Sequence, residues 1–399
     1  MRGTSQAFAT ERDMKTEVTN LKREIFSLAQ FVLLVCLCVT QDAVADTLIV
    51  SRDGKEVSLV GEFLFEARDK SILFEGTDGQ LHVFTSEQIV ELKKEIEVSP
   101  SMDHKALGAS LLKDLPKGFK VLHTENYVIA YQTEPAFAKW IAELYEKRLI
   151  SEFEKFSKRK LRYELSDSKF PLAVVVFGSR PEYDRYATRE LGVAPGSMIA
   201  HYSQMTNRIA MYDLTFDLGG GNQARKLDDV LREPAAIPMV TTIIHEATHQ
   251  LMFNRGMQVR LADAPLWLNE GMANWFETPD LKNKNGWRRP GMINSLRLGR
   301  VKAFIPNRPA DSLETLISGD SRFGDEGAFD AYAESWALVY YLLKHRRNEF
   351  CDYLKAVSSK QPGRKVDAET RLKEFTEHFG NLKKLDRAFL KYVDKLQPR

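Results

Sequence analysis

Cysteine is scarce in this sequence, and its distribution excludes a disulfide-stapled fold. Of three cysteines among 399 residues, Cys36 and Cys38 fall in an apolar N-terminal segment, which leaves Cys351 alone in the rest of the chain. With one remaining thiol, no internal disulfide can form there. A domain without disulfides relies on its hydrophobic core, and in an oxidising compartment a bound metal is a further means of stabilisation.

The sequence also lacks an excess of charge of either sign. It has 57 Lys and Arg against 55 Asp and Glu, a net charge of +2. Nothing global therefore attracts the chain to nucleic acid or to an acidic membrane surface, and no nucleic-acid partner is predicted. The sequence contains no internal repeat and no low-complexity tract. Its 43% hydrophobic and 10% aromatic residues suffice for one full-sized core and a smaller second unit.

The N-terminal segment, 1–45, has the three parts of a secretory signal peptide. Lys22 and Arg23 form a basic flank, 31–39 is an apolar run too short for a comfortable membrane span, and Ala-Val-Ala at 43–45 is typical of a cleavage site. We therefore expect export to the periplasm, the envelope or the extracellular space, with no stable membrane span after processing. An uncleaved N-terminal anchor is the alternative, and it too places the body of the protein outside the cytoplasm.

Two further units are predicted after this segment. Residues 46–96 alternate apolar and polar residues in short runs broken by Asp-Gly pairs, which predicts a small, SH3-like all-β module. The polar stretch 97–117 is interpreted as a linker, and 118–399 as one larger domain. Strand patterns dominate the first half of this domain, while the part from 238 onward is mostly helical. The predicted fold class is therefore α+β, with an N-terminal sheet and C-terminal helices.

The most informative motif is H-E-x-x-H, formed by His245, Glu246 and His249 within a helical pattern. The i, i+4 spacing puts both imidazoles on one helical face, where they can share one tetrahedral metal ion. Glu246 then lies beside the open coordination position, where a general base is needed. Alone, the motif is only moderately specific.

A second helical segment, 265–277, reads PLWLNEGMANWFE and begins shortly after the first motif. H-E-x-x-H followed by W-L-N-E-G-x-A resembles the gluzincin metallopeptidases. The resemblance implies a zincin-like fold and a zinc ion held by His245, His249 and Glu270. Gly271 and Ala273 suit a close approach of two helices. The competing interpretation is that Glu270 is a solvated helix residue and that hydrogen bonds satisfy the histidines.

The chain departs from its better-known relatives just after the third ligand. Thermolysin-like enzymes have an Asp one turn after this Glu to orient a ligand histidine, whereas here the position is Asn274, and Glu277 follows a further turn on. Either Asn274 or Glu277 is expected to be the hydrogen-bond partner of one ligand histidine. Both are also compatible with plain surface positions.

A third apolar helix, 331–342, contains Tyr332 in a Tyr-x-x-Ser-Trp pattern. The order of the three motifs is similar to that of the peptidase-MA-like families of uncharacterised exported bacterial proteins. In gluzincins a Tyr or His of a later helix commonly donates a hydrogen bond to the oxyanion, so the resemblance implies this role for Tyr332. The alternative is a tyrosine of the core.

Gluzincins also present an edge strand that pairs with extended peptide. The predicted hairpin of 198–202 and 208–212 precedes the catalytic helix, so Tyr202 and Arg208 are the candidate substrate-binding residues. The sequence as a whole predicts a zinc-dependent hydrolase, by resemblance a peptidase acting on peptide or protein. The alternatives are a hydrolase of a cell-wall amide and a non-catalytic envelope binding protein that retains zinc.

Overall fold

The computed structural model describes most of the chain after the predicted signal peptide. The described residues are 45–94, 101–213, 215, 227–278, 287, 290–324 and 327–397. The signal-peptide prediction for 1–45 therefore lies outside the described residues, apart from the last position. Within the described ranges, no helix is both long and apolar enough to cross a membrane.

The first sheet is antiparallel and has the strand order β4-β3-β2-β1-β5. Its tightest turn is at Asp53 and Gly54, which both have positive φ angles (51° and 73°), as a two-residue hairpin with the twist of its strands requires. Alternate residues point inward to a small core that includes Leu48, Val50 and Phe74. The strands are β1 (Asp46–Arg52), β2 (Lys55–Glu66), β3 (Ile72–Gly76), β4 (Leu81–Phe84) and β5 (Ile89–Lys93).

The segment predicted as a linker, 97–117, differs from that expectation. It contains a helix, α1 (His104–Asp114), whose first turn is capped by the Asp103 side chain, which accepts a hydrogen bond of 2.7 Å from the Ala106 N–H. Leu107 and Leu111, one turn apart, are buried. The helix packs against the next two strands of the chain and so belongs to the larger unit.

The second sheet is mixed, in the order β6-β7-β8-β10-β9. The three central strands are parallel to one another, while the two outer ones pair antiparallel. Every residue of β8 is buried, as expected for a central strand covered on both faces. The predicted hairpin is confirmed, and its first strand, β9, forms an edge of the sheet. The strands are β6 (Lys120–His123), β7 (Tyr127–Tyr131), β8 (Leu172–Phe177), β9 (Ala200–Ser203) and β10 (Arg208–Tyr212).

Helices follow and surround this sheet, which confirms the α+β class with an N-terminal antiparallel sheet and C-terminal helices. Between β7 and β8 lie α2 (Pro135–Glu143) and α3 (Ile150–Phe156), joined by π-helical turns into one long helix. The remaining helices are α4 (Arg180–Leu191), α5 (Leu227–Val230), α6 (Ile237–Asn254), α7 (Leu266–Phe276), α8 (Ser295–Phe304), α9 (Ser312–Ser318), α10 (Ala328–His345), α11 (Arg347–Ser358), α12 (Ala368–Phe379) and α13 (Leu382–Lys395).

Three of these helices bring the sequence motifs together. Helix α6 packs on β9 and β10, and α7 packs between α6 and α10. The expected close approach at Gly271 is confirmed, because a Cβ atom there would lie 2.7 Å from the Ser335 carbonyl oxygen and 2.5 Å from Val339 Cγ2 on α10. Glycine is therefore needed for α7 to lie directly against α10.

Candidate metal centre

The two motif histidines of α6 lie side by side. Their spacing puts both rings on one face of the helix, and the Nε2 atoms of His245 and His249 are 3.1 Å apart. The two rings meet at an interplanar angle of 76°. Both side chains are only 11% exposed. Two imidazoles whose Nε2 atoms face one point can supply two of the four ligands of a tetrahedral zinc site.

Glu270 on α7 completes the cluster. Its Oε2 lies 3.0 Å from His245 Nε2, and its Oε1 lies 3.6 Å from His249 Nε2. The three ligand atoms lie within 4.8 Å of one another. Zinc–ligand distances of about 2.0–2.1 Å in a tetrahedron put two ligand atoms about 3.3 Å apart. The spacings found here and the donor set of two imidazoles and one carboxylate therefore fit a zinc ion.

The histidines and carboxylates of the cluster shift one another's pKa values toward the charged forms. Burial raises the pKa of Glu270, but the neighbouring His249 and His245 outweigh it and hold that pKa well below the usual range. Burial lowers the pKa of His245, yet its hydrogen bonds with Glu270 and Glu277 raise it well above the usual value. Glu270 is therefore ionised and ready to bind a cation, and a metal must displace a proton from His245.

Glu277 is the partner that orients a ligand histidine. It is 1% exposed, and its Oε2 lies 2.7 Å from His245 Nδ1. With Nδ1–H donating to this carboxylate, His245 can offer Nε2 to a metal ion once the proton on Nε2 has been displaced. Asn294 Nδ2 and Arg297 Nε donate to the other oxygen, Oε1, over 3.1 and 3.0 Å. Of the two sequence candidates, Glu277 is the one that the structure places against a histidine.

Asn274 has a different position. Its side chain is fully buried, and its Nδ2 donates a hydrogen bond of 3.2 Å to the backbone carbonyl of Tyr332. It therefore joins α7 to α10 and does not orient a ligand. This contact nevertheless fixes the helix that carries Tyr332 relative to the helix that carries Glu270.

The carboxylate of Glu246 lies at the edge of the sheet. Its Oε2 accepts a hydrogen bond of 2.8 Å from the backbone N–H of Tyr202 on β9. Because this N–H bonds to Glu246 and not to β10, it points away from the sheet at the free edge. The side chain of Glu246 is half-buried beside His245. This backbone hydrogen bond fixes the position of the Glu246 carboxylate relative to β9.

Tyr332 lies at a partly exposed position of α10. Its neighbours on α10 from Ala333 to Leu343 are buried, whereas Tyr332 is only partly so. Its ring packs edge-on against Phe323 at 5.3 Å, and the Arg297 guanidinium lies 5.6 Å from the ring centre. Burial and the negative charges of Glu270 and Glu246 raise its pKa. The hydroxyl is therefore a protonated donor within electrostatic reach of the cluster.

The two predicted substrate-binding side chains are engaged elsewhere. The ring of Tyr202 stacks on Phe253 at 5.8 Å, and its hydroxyl donates to Asn207 Oδ1 over 2.9 Å. Arg208 is buried, and its Nη2 donates to Asp114 Oδ2 on α1 over 2.8 Å. Tyr202 reaches the site through its backbone only. Arg208 instead joins the sheet to the helix that replaces the predicted linker.

Asn294 and Arg297 were not singled out by the sequence. Asn294 is the N-cap of α8 and accepts a hydrogen bond of 3.2 Å from the Arg297 N–H. That local pattern indicates a helix start, but nothing in it predicts a contact with Glu277. Only the tertiary fold, in which α8 packs on α10, brings these two residues to Glu277.

A comparison with protein families gives one match. Residues 239–364 match a family described as "Protein of unknown function (DUF1570)". A search of curated proteins found no match. The matched range contains the H-E-x-x-H motif, Glu270, Glu277 and Tyr332, but the family description assigns no activity to them.

Proposed function

We propose that this protein is a zinc-dependent hydrolase, and specifically a gluzincin-like peptidase with a zincin-like fold. The observation that carries the proposal is the convergence of His245, His249 and Glu270, whose ligand atoms lie within 4.8 Å of one another. These residues come from two separate helices, and a second carboxylate, Glu277, lies 2.7 Å from His245 Nδ1 and orients that ring. If Glu270 were only a solvated helix residue, its carboxylate would have no reason to lie against both histidines.

The proposed chemistry needs a base, and Glu246 is in the position to supply it. Bound zinc would supply a Lewis acid that polarises a carbonyl and lowers the pKa of water. Glu246 takes the proton of the attacking water and returns it to the leaving amine. The hydrogen bond from the Tyr202 N–H holds the carboxylate in place.

An extended peptide is the substrate that the edge of the sheet favours. Tyr202 and Ala200 are two residues apart on β9, so the backbone groups of both point toward the free edge next to Glu246. A peptide that adds to this edge as a further strand would present its carbonyl groups to the metal centre. We therefore propose a peptide or protein substrate, and the N-terminal segment supports the proposal that it is met outside the cytoplasm.

Tyr332 is the proposed oxyanion donor. Its partly exposed ring lies between Arg297 and Phe323, and the charges of Glu246 and Glu270 act on its hydroxyl. A tyrosine that keeps its proton in this field can donate a hydrogen bond to negative charge that develops on the substrate carbonyl.

Hydrolysis of a diverse peptide library tests this function. The purified protein should cleave peptides, lose the activity in the presence of a metal chelator, and regain it when zinc is added. Cleavage of cell-wall amides but not of peptides would favour the alternative substrate. A zinc-loaded protein without any hydrolytic activity would contradict the proposal and favour a binding protein that retains zinc.

A further inference from the structure

The N-terminal sheet contacts the larger unit at the turn between β9 and β10. Arg260, in the connection between α6 and α7, has a side chain only 10% exposed. Its Nη2 pairs with Glu75 on β3, and its Nη1 donates to the carbonyl of Gly79 over 2.7 Å. The same Nη1 donates to the carbonyl of Gln204 over 3.1 Å. One guanidinium thus joins the first sheet to the turn between β9 and β10.

Two backbone hydrogen bonds complete this junction. The N–H of Leu81, the first residue of β4, donates to the carbonyl of Met205 over 2.6 Å. The N–H of Leu261 donates to the Gln204 side chain over 2.8 Å. The β9–β10 turn is therefore bonded on one side by the first sheet and on the other by the connection that leads from α6 to α7.

The backbone beside Arg260 is in a conformation that needs such support. Leu261 has a φ angle of 59°, in the left-handed region that disfavours a branched side chain. Its N–H is held by Gln204, and its carbonyl accepts a hydrogen bond of 2.9 Å from the Gly363 N–H. Strained backbone of this kind persists only where the surroundings determine it, and it is common at functional sites.

We propose that the N-terminal sheet helps to position residues of the active site. Through Glu75 and Arg260 it fixes the β9–β10 turn, and thereby the free edge of β9 from which the Tyr202 N–H holds Glu246. Arg260 is a positioning residue that touches neither metal nor substrate. The role of this edge in binding peptide rests on the proposed function, whereas the positioning of the strand does not.

Glu75 has a second cation, and this supplies a matched control. Lys169 also pairs with Glu75, and with Glu62 over 2.5 Å, but among the described residues it makes no hydrogen bond or ion pair with the β9–β10 turn. Arg260→Met removes the bonds to Gln204 and Gly79 while Lys169 still neutralises Glu75. Lys169→Met removes one cation from the same carboxylate and leaves Arg260 bound to the turn.

Backbone hydrogen exchange in the full-length, zinc-loaded protein tests the proposal without any substrate. In Arg260→Met, amides of 200–212 should exchange about tenfold faster or more, because a buried polar junction is lost. Lys169→Met should change these rates much less, and zinc content should stay the same in both variants. Wild-type exchange in Arg260→Met, or equal acceleration in both variants, would overturn the proposal.

Two further measurements cover the remaining outcomes. Arg260→Lys retains a charge beside Glu75 but not the planar fork that reaches both carbonyls, so its exchange should fall between wild type and Arg260→Met. This variant decides the question if Arg260→Met fails to fold. If the protein is a peptidase, Arg260→Met should also lower kcat/KM for peptides by about tenfold, through a higher KM from the displaced edge and a lower kcat from the displaced Glu246. Absence of peptidase activity would refute the proposed function, while the exchange data would still decide the positioning role.

Discussion

Glu277 shows how much of the proposed metal centre would depend on residues that do not bind the metal. We expect Glu277→Gln to weaken zinc binding by about 10–100-fold, because a neutral amide cannot stabilise the His245 Nδ1–H and leaves Arg297 without its countercharge. Competition with a coloured chelator measures this affinity. Glu349 is partly exposed, pairs with Arg346 and is not part of the cluster, so Glu349→Gln provides the control. Equal zinc affinities in the two variants would remove Glu277 from the site.

Tyr332 should act in the transition state only. Tyr332→Phe is expected to lower kcat by about a hundredfold with little change in KM or zinc content, since the hydrogen bond forms as charge develops on the carbonyl. Steady-state kinetics on a cleaved peptide measures it. Tyr353→Phe is the control, because that buried hydroxyl has no hydrogen-bond partner among the described residues. A near-normal kcat in Tyr332→Phe would make Tyr332 a packing residue.

For single residues, the sequence predicts contacts between neighbours in the chain better than contacts between residues that are far apart in it. The i, i+4 spacing alone places His245 and His249 on one face, because the helix period is fixed. The support of Glu277 by Arg297 depends on the packing of α8, which no local pattern encodes. The pairing of Arg208 with Asp114 was not predicted, because the strand position of Arg208 does not reveal which helix lies opposite it. Its role in substrate binding stays a prediction.

At the scale of helices, the contact of α7 with α10 sets the place of Glu270. Gly271→Ala would drive a Cβ atom into the Ser335 carbonyl and Val339, so α7 must shift. We expect a loss of about 1–3 kcal/mol in the free energy of unfolding and weaker zinc binding, because Glu270 is the preceding residue. Urea unfolding and zinc titration measure both.

The control for this substitution is another helical glycine. A Cβ atom at Gly299 on α8 would meet nothing within 4 Å. Gly299→Ala should therefore raise the free energy of unfolding by about 0.5–1 kcal/mol, since alanine loses less backbone entropy in a helix. If Gly271→Ala behaved in the same way, the close approach of α7 and α10 would not constrain the metal centre.

For the whole molecule, zinc should link the helices that carry its ligands. A ligand that binds only the folded state stabilises it by about 4 kcal/mol when its concentration is a thousand times Kd. Removal of zinc should therefore lower Tm by several degrees, and adding zinc back should restore it. His245→Ala should show a Tm that does not respond to zinc. A wild-type Tm that is independent of zinc would argue against the site.

The overall architecture was predictable where the hydrophobic pattern is regular. The continuous apolar runs of β7, β8 and β10 and the helical pattern after 238 predict the α+β class, because burial on both faces of a strand or on one face of a helix imposes these patterns. The stretch 97–117 was misread because its polar composition hides Leu107 and Leu111, the two buried positions of a short helix. The docking of the first sheet through Arg260 depends on tertiary contacts and has no local signal.

The most direct test of the account is the turnover of Glu246→Gln at a measured zinc content. Glu246 contributes no ligand atom to the cluster, so the variant should bind one equivalent of zinc as the wild type does. Its kcat on a cleaved peptide should fall by about 10²–10⁴-fold, because the attacking water loses its base. Full zinc occupancy with wild-type kcat would contradict the account, since Glu246 would then have no part in the reaction.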